Sequence, residues 1–152
     1  MDYNDENVKK AVEVLQSFLA VTKTTTKFTQ QNAESLGLSL LQLGIVNHLN
    51  STPGLTLKEL TQKLQSSKST VSINVDGLVE IGYVKRQPSS DDRREVNLFL
   101  TVEGIEVSNK SIKNAYSYRA MILALEKMED KDVNQLLNLH NQLLSHLEKV
   151  EL

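Results

Sequence analysis

The chain contains no cysteine. Disulfide bonds, thiolate metal sites and a cysteine-based redox switch are therefore excluded. No run of apolar residues approaches the ~20 that a membrane-spanning helix needs. The N-terminus carries Asp2, Asp5 and Glu6 and has no hydrophobic block, unlike a signal peptide. We therefore expect a soluble cytoplasmic protein with no membrane partner.

The sequence also lacks the residue patterns that catalysis and metal binding require. It has no glycine-rich phosphate loop, no nucleophile elbow and no pair of carboxylates placed for acid–base chemistry. His140 and His146 are six residues apart, whereas histidines that share a metal on a helix are usually three or four apart. We predict no enzymatic activity, no catalytic residue, no metal site and no cofactor.

The charge is small but unevenly distributed. A length of 152 residues suits one domain or one subunit of a dimer, and the formal net charge is −2. From Thr56 to Arg94 there are 7 basic and 5 acidic residues, whereas residues 95–152 hold 6 basic and 9 acidic ones. The first stretch is therefore mildly basic, and a negatively charged partner bound there would be held in a salt-sensitive way.

The most informative stretch runs from Leu55 to Gly104. Thr56 and Glu59 have the spacing of a capping box, in which the hydroxyl and the carboxylate each satisfy a backbone N–H at the start of a helix. Ser67 is a good N-cap for a second helix, and only a short break separates the two. Helix, short break and helix are the layout of a helix-turn-helix.

The second of these helices has a predicted core face and a predicted outer face. Val71, Val75 and Leu78 recur at helical spacing and should be buried. On the outer face, small hydroxyl groups near a helix N-terminus can approach phosphates and base edges, and an exposed isoleucine can touch a thymine methyl group. The alternative is that the hydroxyls are merely solvated and that the isoleucine packs on a neighbour. The predicted major-groove residues are Lys68, Ser69, Thr70, Ser72 and Ile73.

Beyond Gly82 the period of the apolar residues changes from 3.6 to 2, which predicts a hairpin. Residues 83–87 are expected to form one strand and residues 88–92 a turn. Thr101 should cap the next helix. The predicted core-facing positions of the returning strand are Val96, Leu98 and Leu100.

The tip of this predicted hairpin is basic. When a recognition helix lies in the major groove, an arginine on a thin hairpin beside it can enter the adjacent minor groove. Phosphates of both strands concentrate negative potential there. We predict that Arg94 inserts there and that Asp92 braces it by a charge-assisted hydrogen bond. The predicted phosphate contacts are Arg93, Lys85 and Arg86.

Three segments together resemble the MarR family of bacterial transcription regulators. They are residues 64–72 (LQSSKSTVS), residues 78–86 (LVEIGYVKR), and residues 92–94 (DRR) leading to 100–104 (LTVEG). The resemblance implies a homodimeric winged helix-turn-helix repressor in which Asp92 and Arg94 match the family's minor-groove element. Many members carry arginine on the recognition helix, where this chain has Ile73 and Gly77, so base readout does not transfer.

The flanking segments complete the predicted fold class, which is mainly α with a small β wing. We expect a single domain over 1–152, with the winged DNA-binding unit at 38–101 and a helical dimerisation region from both termini, 1–36 and 102–152. The first helix should bend or break at residues 22–27 and end near Gly37, and Ser39 should cap the second. After Gly104 we expect one long helix to Met128 and a last helix capped by Asp130.

The last segment carries apolar residues in steps of three and four, a seam typical of helices that pack along one another. One subunit alone can bury this seam internally, but a twin subunit also places two recognition helices on half-sites ~34–36 Å apart in a pseudo-palindromic operator. His140 is expected to be a packed interface residue, the alternative being a pH-sensitive contact. The predicted interface residues are Val8, Val12, Leu15, Leu136, His140, Leu143 and Leu147.

The resemblance further implies a pocket for a small apolar or phenolic effector where the dimer helices meet the winged unit. Aromatic side chains with polar tips suit such ligands, although they also fill ordinary cores. The candidate pocket residues are Phe28, His48, Tyr116, Tyr118 and Arg119. The alternative function is a winged-helix module that binds protein instead of DNA, with a small-molecule enzyme as the third interpretation.

Overall fold

The computed structural model describes residues 2–88 and 96–151. These residues form the helices α1 (Glu6–Ser35), α2 (Leu40–Ser51), α3 (Leu57–Lys63), α4 (Lys68–Glu80), α5 (Val102–Asn114), α6 (Tyr116–Leu125) and α7 (Asp130–Leu147). The strands β1 (Leu55–Thr56), β2 (Val84–Pro88) and β3 (Val96–Leu100) form one antiparallel sheet in the order β1-β3-β2. The predicted fold class is confirmed, with β1 as a third strand that the sequence did not indicate.

The chain falls into two compact units, Met1–Tyr116 and Ser117–Leu152. The first unit holds the hydrophobic core, to which α2, α3, α4 and the sheet contribute. We call β2 and β3 the wing. The largest fully buried apolar side chains are Ile45, Val46, Leu49, Leu60, Val71, Val75, Leu78 and Leu98.

The start of α5 packs closely against the backbone that leads from α4 into the wing. Thr101 Oγ1 accepts a hydrogen bond from Gly104 N at 3.1 Å and donates one to Gly82 O at 2.7 Å. A Cβ atom added to Gly104 would lie 2.1 Å from Tyr83 O, far inside any allowed contact. Glycine is therefore required at position 104, and the predicted cap at Thr101 is confirmed.

Of the bend or break predicted at residues 22–27, the break is wrong, because α1 continues without interruption through these residues, and the bend stays a prediction. Thr24 Oγ1 donates to Ala20 O at 2.8 Å, and Thr25 Oγ1 donates to Val21 O at 3.0 Å. Threonine hydroxyls that bond back to the preceding turn are compatible with a helix, and the small propensity penalty of threonine is not enough to end one. The predicted end near Gly37 is correct, since Gly37 has a φ of +71° just beyond the helix.

Three further expectations are corrected. The single long helix predicted after Gly104 is two helices, because Ala115 adopts the left-handed conformation with φ +39°. Asp130 is the first residue of α7 and not its cap, since the N-cap is Glu129 and makes no side-chain capping bond. Val96 is 43% exposed, because it starts β3 at the edge of the core that buries Leu98 and Leu100.

A buried polar network that the sequence did not indicate joins α1, α2 and α5. Asn32 Nδ2 donates to Ser111 O at 3.0 Å, and Ser108 Oγ donates to Asn47 Oδ1 at 3.0 Å. Asn47 Nδ2 also reaches Ser111 Oγ at 3.4 Å. Buried amides and hydroxyls need such partners, so the network fixes the register of the three helices.

The second unit has a different character. Neither α6 nor α7 contributes a buried residue in the single chain, although both carry many apolar side chains. None of the helices in the described part of the chain is long and apolar enough to cross a membrane.

Candidate nucleic-acid interface

The interface begins with the cap of α3. Thr56 N donates to Glu59 Oε2 at 2.7 Å, and Glu59 N donates to Thr56 Oγ1 at 3.3 Å, which confirms the predicted capping box. The hydrogen bonds from the backbone and the hydroxyl of Thr56 lower the pKa of Glu59 below its ordinary value. The cap therefore holds a carboxylate at the helix N-terminus, where the helix dipole also favours it.

The turn between α3 and α4 is tight. Leu64 ends α3, and Gln65 takes a φ of +47°, a left-handed conformation that side-chain-bearing residues adopt rarely. Ser66 N then donates to Thr61 O at 3.3 Å, which closes the end of α3. Ser67 follows directly as the N-cap of α4. The predicted helix-turn-helix geometry is confirmed.

The N-terminus of α4 is a cluster of hydroxyl groups. Ser67 Oγ accepts from Thr70 N at 3.1 Å, the predicted cap, and lies 2.9 Å from Ser69 Oγ and 2.7 Å from Thr70 Oγ1. The hydroxyls of Ser69 and Thr70 are thus held by a shared neighbour. Such a cluster presents donors and acceptors in fixed positions at the positive end of the helix dipole.

The core face of α4 is as predicted, with Val71, Val75 and Leu78 fully buried. On the outer face Ile73 is 70% exposed, so the interpretation that it packs on a neighbour is wrong for the single chain. Ser72 is half-buried, so it is less accessible than the sequence suggested. The exposed residues of the outer face are Lys68, Ser69, Thr70, Ile73 and Asp76.

One hydrogen bond and one close approach join α4 to α2. Ser39 Oγ, which caps α2, donates to Asn74 Oδ1 at 3.2 Å. Asn74 is itself held within α4, where its Nδ2 donates to Thr70 O at 2.9 Å. A Cβ atom at Gly77 would lie 3.2 Å from Gln42 Nε2, so the two helices approach closely at this glycine. The weak helix interior at Gly77 is thus stabilised by tertiary packing.

The two wing cations in the described residues face opposite ways. In the register of the wing, Lys85 lies opposite Phe99 and Arg86 opposite Leu98. Because successive side chains of a strand point to opposite faces, Arg86 shares the face of buried Leu98 and Lys85 the other. Arg86 Nη2 donates to Asp76 Oδ1 on α4, a contact the sequence did not indicate. Asp92, Arg93 and Arg94 lie outside the described residues, and their roles stay predictions.

The five candidate effector residues are distributed over both units. Phe28 on α1 and His48 on α2 are half-buried in the first unit, and Tyr116 is half-buried at the start of α6. Tyr118 and Arg119 are exposed on α6. A cavity of about 200 Å³ lies at the base of the wing, and none of the five lines it. Its lining residues are Leu49, Asn50, Pro53, Lys85, Phe99, Leu100 and Ile105.

The predicted interface residues lie on α1 and α7. Val8 and Val12 are half-buried and Leu15 is exposed on α1. On α7 the seam residues Leu136, His140 and Leu147 are exposed and Leu143 is half-buried. No group of three His, Asp or Glu side chains within 2–88 and 96–151 is arranged to hold a metal ion.

A capped helix-turn-helix followed by an antiparallel wing defines the class of winged-helix proteins. The model of the MarR family matches residues 36–95. YcgE of Bacillus subtilis (strain 168), an uncharacterized HTH-type transcriptional regulator, is 32% identical over 120 residues, which are 77% of this chain and 75% of that protein. The chain therefore belongs to the MarR family of transcriptional regulators, which bind DNA.

Solved structures agree with this family. The multiple antibiotic-resistance repressor (MarR) of Listeria monocytogenes 4b F2365 has a TM-score of 0.70 and 29% identity, covering 94% of this chain and 99% of that one. Wild-type MarR from E. coli has a TM-score of 0.71 and 18% identity, covering 85% of this chain and 95% of that one. The second likeness is one of fold alone.

Proposed function

We propose that the protein is a homodimeric repressor that binds a pseudo-palindromic operator in double-stranded DNA. The observation that supports this best is the outer face of α4, where fixed hydroxyl groups and the 70% exposed Ile73 stand together on a capped helix beside the wing. An exposed branched apolar side chain on this face matches a thymine methyl group in a major groove. The MarR protein of Listeria monocytogenes is itself described as a repressor.

The contacts in the groove follow from the position of each side chain. Lys68 and the hydroxyls of Ser69 and Thr70 approach the phosphates and base edges nearest the N-terminus of α4, while Ile73 reaches deeper into the groove. Ser72, being half-buried, makes the smallest contribution of the predicted set. Arg94, braced by Asp92 and flanked by Arg93, enters the minor groove from the wing tip.

The dimer brings two such surfaces to successive turns of DNA. Its support is the apolar surface of the single chain, which includes Leu15 and Leu19 on α1 and Leu136 and Leu147 on α7, each at least 40% exposed. Apolar side chains at these spacings are stable in water only when another surface covers them. Two-fold symmetry then sets the half-sites ~34–36 Å apart.

Release by a small apolar or phenolic effector is the remaining part of the proposal. Phe28, His48, Tyr116, Tyr118 and Arg119 provide aromatic surface with polar tips, which suits a phenol or a fatty acid. Calorimetric titration of the homodimer with a panel of phenols and fatty acids is expected to give heat for at least one compound, and that compound should lower DNA affinity. Absence of heat across the panel would contradict release by these effectors, and the proposal that the protein binds DNA would still stand.

The DNA-binding proposal is tested by selecting sites from a random duplex library. We expect enrichment of a sequence with two-fold symmetry and half-sites one helical turn apart. Thymines of the selected site are replaced by uracil one at a time, which removes only the methyl group. At one position the replacement should weaken binding of the native protein but not binding of Ile73→Ala. No enrichment, and no binding of any duplex at low salt, would instead favour the protein-interaction module.

A further inference from the structure

We infer that Asp76 neutralises Arg86, so that Arg86 brings no net positive charge to DNA. The inference rests on the proposed DNA binding and removes Arg86 from the predicted phosphate contacts. It also adds Asp76, which sequence reasoning did not include, to the residues that determine how strongly the protein binds any duplex.

The geometry of the pair is the first argument. Arg86 Nη2 donates to Asp76 Oδ1, and this bond joins the outer face of α4 to the first strand of the wing. The other ion pairs recorded in the described part of the chain, Lys9 with Glu6 and Lys131 with Glu129, each join residues within one short segment. Among these pairs of the described residues, Asp76–Arg86 is the one that joins two elements of the proposed interface.

The register of the wing directs Arg86 to this position. Arg86 lies opposite Leu98, and Val84 lies opposite Leu100, so this face of the wing is the face that packs on the core. Lys85, one residue earlier, belongs to the other face with Phe99. The arginine therefore stands over α4 because of the strand pleat and not because of a chance side-chain rotamer.

The magnitude of the interaction decides what the pair does. The side chains of Arg86 and Asp76 keep 42% and 56% of their surface exposed, so solvent screening leaves the pair too weak to hold the wing alone. The pair affects DNA binding through charge. Counterion release follows the number of phosphates that the protein's cations neutralise, and Arg86 neutralises none while its guanidinium is paired with Asp76.

Salt titrations on a random-sequence duplex measure this charge directly. We compare the native dimer, Asp76→Asn and Asp76→Asn/Arg86→Gln by fluorescence anisotropy between about 50 and about 200 mM salt. In Asp76→Asn the freed arginine neutralises one more phosphate, so the slope of log K against log salt should steepen by ~0.9. The affinity lost across that range should then be about 3.5-fold greater than for the native protein. The double variant, which replaces both charges by amides, should keep the native slope.

The opposite pattern would overturn the inference. If Arg86 already bound a phosphate, Asp76→Asn would keep the native slope and the double variant would become shallower by ~0.9. Lys68→Gln, on the exposed first turn of α4, is the matched control and should become shallower by about one charge, which shows that the assay resolves one contact. Thermal unfolding by circular dichroism verifies that each variant is folded. A native slope for Asp76→Asn beside a shallower Lys68→Gln refutes only the inference, whereas no duplex binding by the native protein refutes the proposed function as well.

Discussion

The two compact units of the chain differ in what covers their apolar side chains. In the first unit, capped helices and a three-stranded sheet bury a continuous core of leucine, isoleucine and valine. In the second unit, α6 and α7 are helical but no residue of either is buried in the single chain. The first unit therefore buries its own core, whereas the apolar side chains of α6 and α7 stay accessible in the single chain, as do Leu15 and Leu19 of α1. In the proposed dimer, these accessible side chains are the ones that a second subunit would cover.

The largest predicted effect is a loss of dimer affinity when the leucine seam of α7 is made charged. In Leu136→Glu/Leu147→Glu, charges replace two seam leucines that are 40% and 59% exposed in the single chain. Because each leucine still has about half of its surface to bury, the four lost side chains of a dimer should cost about 3 kcal/mol of association. The dissociation constant should rise roughly 100-fold, measured by sedimentation equilibrium.

The matched control is Asn138→Glu/Ser145→Glu, which adds the same two charges to the opposite, exposed face of α7. It should leave the dissociation constant within about twofold of the native value, since exposed substitutions have small effects. Equal effects of the seam variant and of this control would show that general charge, and not the seam, governs association.

The next effect breaks the first unit from within. Gly104→Ala places a methyl group against the Tyr83 carbonyl, where a Cβ atom would stand at 2.1 Å. Backbone on both sides has to shift, so the free energy of unfolding should fall by at least about 2 kcal/mol in urea denaturation. Gly77→Ala is the control, because its methyl group meets only the flexible end of Gln42 at 3.2 Å and should change stability by less than about 1 kcal/mol. Similar losses for both would contradict the close-approach explanation.

A third variant tests DNA binding separately from subunit association. Arg94→Ala should weaken operator binding by at least about 1 kcal/mol, the lower end for a good charged contact in a groove. Gel-shift titration measures the loss. Sedimentation should give the native dimer constant, since the proposed association uses α1 and α7. Native DNA affinity for this variant would remove Arg94 from the interface.

The smallest effect concerns the cap of α3. Because hydrogen bonds from Thr56 lower the pKa of Glu59, its stabilisation is present above the ordinary carboxylate pKa and is lost as the pH falls through the lower folded pKa. The carboxylate is exposed, so screening keeps this contribution below about 1 kcal/mol. Urea unfolding at about pH 6 and about pH 3 should show a smaller acid-induced loss for Glu59→Gln than for the native protein. Equal losses would mean that the cap does not titrate.

The local part of the fold was predictable from the sequence. Caps at Ser39, Thr56, Ser67 and Thr101 depend on bonds between residues three apart, and all four are confirmed. The core face of α4 follows from the 3.6-residue period in the same way. These features need no knowledge of distant segments.

The remaining features depend on contacts that local patterns do not encode. Ala115 is a strong helix former, yet it ends α5 in a left-handed conformation. Ser111 O, one turn earlier, accepts from both Ala115 N and Asn32 Nδ2, a residue 79 positions away. The pairing of Asp76 with Arg86 likewise requires the wing register, which is set only when β3 has packed.

The alternation of Lys85 and Arg86 makes the wing intolerant of small changes in its length. Deleting one residue between position 82 and Lys85 would exchange every inward and outward side chain of β2. Lys85 would then take the inward position of buried Val84, and the arginine would turn to the far side, away from Asp76. Single-residue insertions and deletions ahead of Arg86 should accordingly be more harmful than two-residue changes, which restore the alternation.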